Sequence, residues 1–309
     1  MQLRFDTAEA VAVLRFLETQ QSDWPDLFGT AGYQRLKARE TAMHREFSDS
    51  DFAAFVRSDS LGRRAGELRR ALTDWEQADV AGASRRALAY LPPEAHIHAT
   101  VYVVIKPRTN SFVFDVQTDP AIFLYLDPRT TRPRFENTVA HELHHIGYAS
   151  VTGRADSIVA ALTDSVRSAA EWMGALGEGF AMLAAAGGPE VHPHAASPPA
   201  DRDRWDHDVA NFNQDLRTLD RFFLDVIGRR LATPDTIRAV AFTFYGVQGP
   251  WYTVGWKMAV TIERRFGRPE LIRCMLNPRL LLARYNAAAD DSLARWSPEL
   301  LQALGMEER

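Results

Sequence analysis

The chain has 309 residues, a formal charge of −4 and a hydrophobic fraction of 46%, which is an ordinary balance for a globular protein. That length is enough for a large core in one unit or in two sub-domains sharing a cleft. The mild negative charge argues against nucleic acid as the main partner. The single cysteine, Cys274, excludes an internal disulfide and any cysteine-built zinc knuckle, and it reads as a small core residue. No run approaches the ~20 apolar residues of a membrane span. The first residues, Gln2-Leu3-Arg4-Phe5-Asp6, lack the apolar stretch of a signal peptide, so a cytoplasmic protein without membrane contact is the expectation.

Asp6 or Thr7 can cap a first helix carrying Val11, Leu14 and Leu17 on one face, with Trp24-Pro25 breaking it. Helical patterns follow over 33–46, 51–56 and 66–75. The chain to Leu91 therefore reads as a helical layer without chemistry of its own. Its Arg pairs, such as Arg69-Arg70, are interleaved with acids as on a solvated helix face, and His44 reads as a surface residue.

Pro92-Pro93 marks a change of texture. The segments 100–105, 111–116 and 121–126 are β-branched and aromatic and read as three short strands. Lys106-Pro107-Arg108-Thr109-Asn110 is a turn that can join the first two as a hairpin. An edge strand here would let an extended peptide add itself by main-chain hydrogen bonds. His96 and His98 alternate at the entrance to the first strand and read as half-exposed strand residues.

The stretch Asn137-Thr138-Val139-Ala140-His141-Glu142-Leu143-His144-His145-Ile146 carries the strongest chemical signal. It holds His-Glu-x-x-His. On a helix, here expected over about 136–148, the spacing puts His141 and His145 on one face a turn apart. Two neutral imidazoles can hold a divalent metal there, and Glu142 then lies beside the open position, able to take a proton from water. His144 reads as a packing or supporting residue.

A second long helix is expected from near Asp156, carrying Ile158, Val159, Leu162 and Val166 toward the core. It leads into Glu171-Trp172-Met173-Gly174-Ala175-Leu176-Gly177-Glu178-Gly179-Phe180-Ala181. Each glycine there costs ~1 kcal/mol in a helix interior relative to alanine, so a close approach of this backbone to the metal helix is one reason for them. Zinc held by two histidines needs a third protein ligand. Glu178 is the candidate, with Glu171 as the alternative.

The segment 187–203, rich in Pro, Gly and Ala, reads as an exposed loop in which His192 and His194 are solvated. Helices are expected over 205–228 and 234–244. Gly249-Pro250 then delivers Tyr252 to the start of a helix with Met258, Ala259, Ile262 and Phe266 on one face; Gly267 caps it. Pro269 and Pro278 open two more helices, the last running through Tyr285-Asn286. A phenol held at a helix start can donate a hydrogen bond to an oxyanion. A packed tyrosine with a satisfied hydroxyl fits the same pattern.

His141-Glu142-Leu143-His144-His145 followed by Gly177-Glu178-Gly179-Phe180-Ala181 resembles the gluzincin metallopeptidases, in which a Glu on the next helix is the third zinc ligand. Glu178-Gly179-Phe180-Ala181 is similar to the Glu-Gly-Phe-Ala of gluzincin aminopeptidases. Their Gly-x-Met-Glu-Asn motif is absent, which speaks against that exopeptidase activity. Tyr252-x-x-Gly255, Asn277-Pro278 and Tyr285-Asn286 resemble an uncharacterised family of zinc-dependent peptidases over roughly residues 95–290.

The resemblance implies an α+β, mostly helical fold: a zincin-like, small edge-exposed sheet over the active-site helix, then a helical C-terminal lobe. Three segments are expected, 1–92, 93–190 and 191–309. The implied activity is hydrolysis of a peptide or protein substrate with one zinc per chain, Glu142 and Tyr252 acting on the substrate. A small-molecule amidase or esterase and a non-catalytic metal-binding module are the alternatives. Glu142 counts against the latter, because a structural site needs no base.

Overall fold

A computed structural model describes residues 2–21 and 23–305, apart from the side chains at 154, 278 and 279. The chain is mostly helical around one four-stranded mixed sheet. The strands are β1 (Gln2–Asp6), β2 (His98–Val104), β3 (Phe112–Phe114) and β4 (Ala121–Tyr125), in the order β1-β2-β4-β3. β1 runs parallel to β2 with Gln2 opposite His98, and β2 parallel to β4 with Thr100 opposite Ala121. β3 alone is antiparallel, placing Val113 opposite Ile122. Every residue of β4 is buried, as an inner strand covered on both faces requires, whereas β3 is a half-buried edge.

Two expectations fail here. The opening residues form a strand, β1, too short and too polar in alternation to stand out beside the helices that follow it. The hairpin is also misplaced. Both edges of β2 are already taken, by β1 and β4, so β3 pairs with β4 instead. The turn between β3 and β4 is made at Asp115, with φ +58°, whose carbonyl accepts from Asp119 N at 3.1 Å. The segment 106–110 is a crossover pinned from inside. Lys106 Nζ donates to Asn110 Oδ1 at 3.0 Å, and the buried Glu9 accepts from Ile105 N at 2.8 Å.

Helices over 8–88 cover the sheet, many started by side-chain caps: Thr30 accepts from Tyr33 N, Ser48 from Asp51 N and Asp79 from Gly82 N. The first, Ala8–Thr19, buries Leu14 and Leu17 but leaves Val11 exposed. Trp24-Pro25 opens the next helix rather than breaking this one, which ends at Gln20 in the left-handed region.

The helix bearing His-Glu-x-x-His runs over Arg132–Ala149, longer than expected, with Pro133 in its first turn. Phe135, Val139, Leu143 and Ile146 are buried in the core shared by the sheet and the N-terminal helices, and Phe135 stacks on Trp75 at 4.4 Å. At ~1.5–3 kcal/mol per buried side chain, these four set the rotation of the helix. The remaining face is left to His141, Glu142 and His145.

A second core holds Met173, Leu176, Phe180 and Leu183 against the helices Phe212–Ile227, Pro250–Phe266 and Pro278–Ala288. The expected long helix from Asp156 is three helices, Gly153–Ala160, Asp164–Met173 and Gly177–Ala186, broken by an extended Thr163 and a 3-10 turn at Gly174–Leu176. Ile158, Val159, Leu162 and Val166 are only half-buried. Likewise the helix expected over 205–228 divides at Asn211, and a short helix, Pro298–Ala303, follows the one expected to be last.

Among the described residues no helix is long and apolar enough to cross a membrane. Cys274 is buried, its thiol pushed up to about 12 chiefly by desolvation.

Candidate metal centre

The face of Arg132–Ala149 left free by its core contacts points at the first turn of Gly177–Ala186. His141 Nε2 and His145 Nε2 lie 3.1 Å apart, and each approaches Glu178 Oε2, at 3.2 and 3.3 Å. All three residues are half-buried, and among the described residues this is the one group of three or more His, Cys, Asp or Glu whose donor atoms converge, within 4.8 Å of one another. Tetrahedral zinc, with bonds of about 2.0–2.2 Å, separates neighbouring ligand atoms by about 3.3 Å. The donor triangle has that size.

Hydrogen bonding alone explains the triangle poorly. If both imidazoles donated to Glu178, their two N–H groups would face each other across 3.1 Å. One cation satisfies all three atoms at once. Burial works to raise the Glu178 carboxyl, but the contacts and charge of His141 and His145 outweigh it and hold it well below the usual carboxylate range. Glu178 is therefore an anion at neutral pH, as a ligand must be. The donor set fits a zinc ion. Among the described residues none hydrogen-bonds the buried His141 Nδ1.

The other candidates fall elsewhere. Glu171 is exposed and outside the converging group. His144 is buried beside His145, its imidazole pushed down to about 3 by burial first and by the neighbouring imidazoles second, and its nitrogens do not join the group. His192 faces Asp206 at 3.1 Å, and His194, expected to be solvated, is instead buried against Trp205. His44, His96 and His98 are exposed.

Glu178 is placed by a helix crossing. A Cβ on Gly179 would overlap the backbone of Trp256 and Gly255 and sit 2.5 Å from the Tyr252 carbonyl oxygen. The close approach expected of this glycine-rich segment is therefore made to the helix Pro250–Phe266, not to the metal helix. Gly174 and Gly177 meet nothing within 4 Å.

The crossing brings Tyr252 into the same site. Its ring lies 6.4 Å from that of His141, nearly parallel to it. Burial first, then the Glu178 and Glu142 carboxylates, raise the phenol above its ordinary value, so it keeps its proton. Tyr245 stands behind it, with ring centroids 6.4 Å apart.

His141, Glu142, His145, Glu178 and Tyr252 line one open cleft of about 270 Å³, and Val113 and Val116 close its other wall. The sequence singles out neither valine. Their signal is the short β segment itself, whose role as the edge beside the metal helix shows only once β3 pairs with β4.

The cleft thus combines three converging donor atoms that could hold a metal, a carboxylate, a phenol and a strand edge. No match to a curated protein or to a solved structure was found. A family model does match, over residues 24–292, a span holding every residue of the cleft. On that match over most of its length, the chain belongs to the family described as "Putative zinc dependent peptidase" (DUF5700).

Proposed function

We propose that the protein hydrolyses peptide bonds by a gluzincin-type arrangement, with one zinc ion held by His141, His145 and Glu178. The observation that carries this reading is the convergence of the three donor atoms at 3.1–3.3 Å in a cleft that also holds Glu142. A bound zinc ion would supply Lewis acidity, polarising a scissile carbonyl and making water more acidic.

The chain's own groups do the rest. β3 offers its free edge to an extended substrate strand, which holds the backbone by main-chain hydrogen bonds beside Val113 and Val116. Such an edge favours a peptide over a compact small molecule and supports a zincin-like reading of the fold. Glu142 takes a proton from the attacking water and returns it to the leaving amine. Tyr252, protonated and facing the cleft, donates a hydrogen bond to the carbonyl oxygen as it gains charge. The helix bearing His141, Glu142 and His145 is anchored in the first core, and the helices bearing Glu178 and Tyr252 in the second, so the cleft draws on both.

Glu142→Gln tests the reading. It keeps the side chain's shape and removes its basicity. Metal content should stay at the wild-type level, while turnover of a peptide mixture, followed by mass spectrometry, should fall by roughly 10²–10⁴-fold. Wild-type turnover in this variant would remove Glu142 from the mechanism.

A further inference from the structure

A second cavity, of about 400 Å³, shares His145 with the cleft. Its walls include Tyr148, Val159, Met173, Phe180, Met275 and Leu281. The acidic groups that reach it, Asp156 and Glu171, are exposed, and Arg167 is paired with Asp164. Its lining is otherwise largely apolar, at a volume typical of ligand pockets.

The helix Gly153–Ala160 adds an independent observation. Its periodicity gives Val159 a place on a core-facing stripe, yet Val159 is half-buried and turned to this cavity. An apolar face left without a protein cover, and adjoining the cleft at His145, is a surface for an apolar ligand. The wall is also braced. Tyr148, on the turn of the metal helix after His145, donates its hydroxyl to the Met275 carbonyl at 3.1 Å. That bond ties the metal helix to the helix Arg268–Met275 and holds the cavity against the cleft.

We propose that this cavity receives a large apolar side chain, aromatic or of the size of Leu or Met, from the substrate residue flanking the scissile bond. The inference rests on the peptidase reading of the cleft. Because His145 borders both spaces, and successive residues of an extended chain are only ~3.3 Å apart, a substrate lying along β3 reaches the cavity within a residue of the cleaved bond. An acidic side chain there would lose water against Val159, Met173, Phe180 and Leu281 and meet the like charges of Asp156 and Glu171.

Two measurements on the full chain test this and separate it from the reading beneath it. Saturation-transfer NMR with N-acetylphenylalaninamide, N-acetylaspartamide and N-acetylglycinamide should show contact for the phenylalanine probe alone. The contact should vanish in Ala160→Trp, which enlarges another residue of the cavity's wall into its space, and in Val159→Lys, which charges that wall. Cleavage of a mixed peptide library should favour Phe, Leu or Met over Asp or Gly at one flanking position by at least about tenfold. Both variants should keep wild-type zinc content and lose that preference, so a misfolded Ala160→Trp still leaves Val159→Lys to decide.

Cleavage without any apolar preference, together with no contact from the phenylalanine probe, overturns the cavity assignment and leaves the peptidase reading standing. Probe contact that depends on Val159, with no peptide cleaved, supports an apolar-ligand cavity and overturns the peptidase reading. Neither contact nor cleavage overturns both.

Discussion

Gly179 and Gly255 cross so closely that neither position has room for a side chain. A Cβ on Gly255 would sit 3.2 Å from the Gly179 Cα and overlap the Leu176 carbonyl, while one on Gly179 would overlap the Trp256 amide. The crossing sets the site's geometry. Glu178 immediately precedes one glycine, and Tyr252 lies three residues before the other, so one contact positions both the candidate third ligand and the phenol.

Gly179→Ala should therefore push the two helices apart. Overpacking of this kind costs typically ~1–3 kcal/mol, and more where the obstacle is backbone. We expect a clear drop in thermal midpoint and weaker zinc binding. Gly174→Ala, at a position with nothing within 4 Å, should be neutral or stabilising by ~0.5–1 kcal/mol. Differential scanning calorimetry of the two variants checks this, and a Gly179→Ala protein as stable as wild type would deny the crossing its role.

The third ligand is tested by a pair of substitutions. Glu178→Ala removes the atom that both imidazoles approach, and zinc affinity should collapse. Glu171→Ala, at an exposed position, should leave it unchanged. Zinc titration against a competing chelator measures both, and the reverse order of effects would reassign the ligand.

Tyr252→Phe removes only a hydroxyl. A donor of this type contributes ~2–4 kcal/mol to a developing oxyanion and little to bound substrate, so kcat should fall by about 10²–10³-fold with KM and zinc content nearly constant. A kcat within about twofold of wild type would pass the role to another group.

A pH effect is expected far from the metal. Burial first raises the Glu9 carboxyl from 4.5 to about 8, opposed by its bond from Ile105 N and by Lys106. The folded chain thus holds this proton more tightly than the unfolded one. Stability from that proton is fully present below pH 4.5 and is lost as pH rises through about 8. Glu9→Gln does not titrate, so its thermal midpoint relative to wild type should climb across that window. A difference that stays constant with pH would mean that Glu9 is ionised in the fold.

The shared face of His141 and His145 was legible because helical spacing acts locally. His141 and His145 share a face whatever surrounds them, and Pro250 fixes where the helix of Tyr252 begins. Pairings distant in sequence were not. The reason for Gly179 lies 76 residues further on, at Gly255, and periodicity holds no trace of it. The partner of β3 followed from both edges of β2 being occupied, one of them by a strand at the start of the chain. Val159 sits on an apolar stripe in either case, and only the fold reveals that the stripe borders a cavity.

If His141 and His145 hold a metal, elemental analysis of the purified protein will find about one zinc per chain in the wild type and none in the His141→Ala/His145→Ala double variant. Full zinc occupancy in a folded double variant would contradict that assignment.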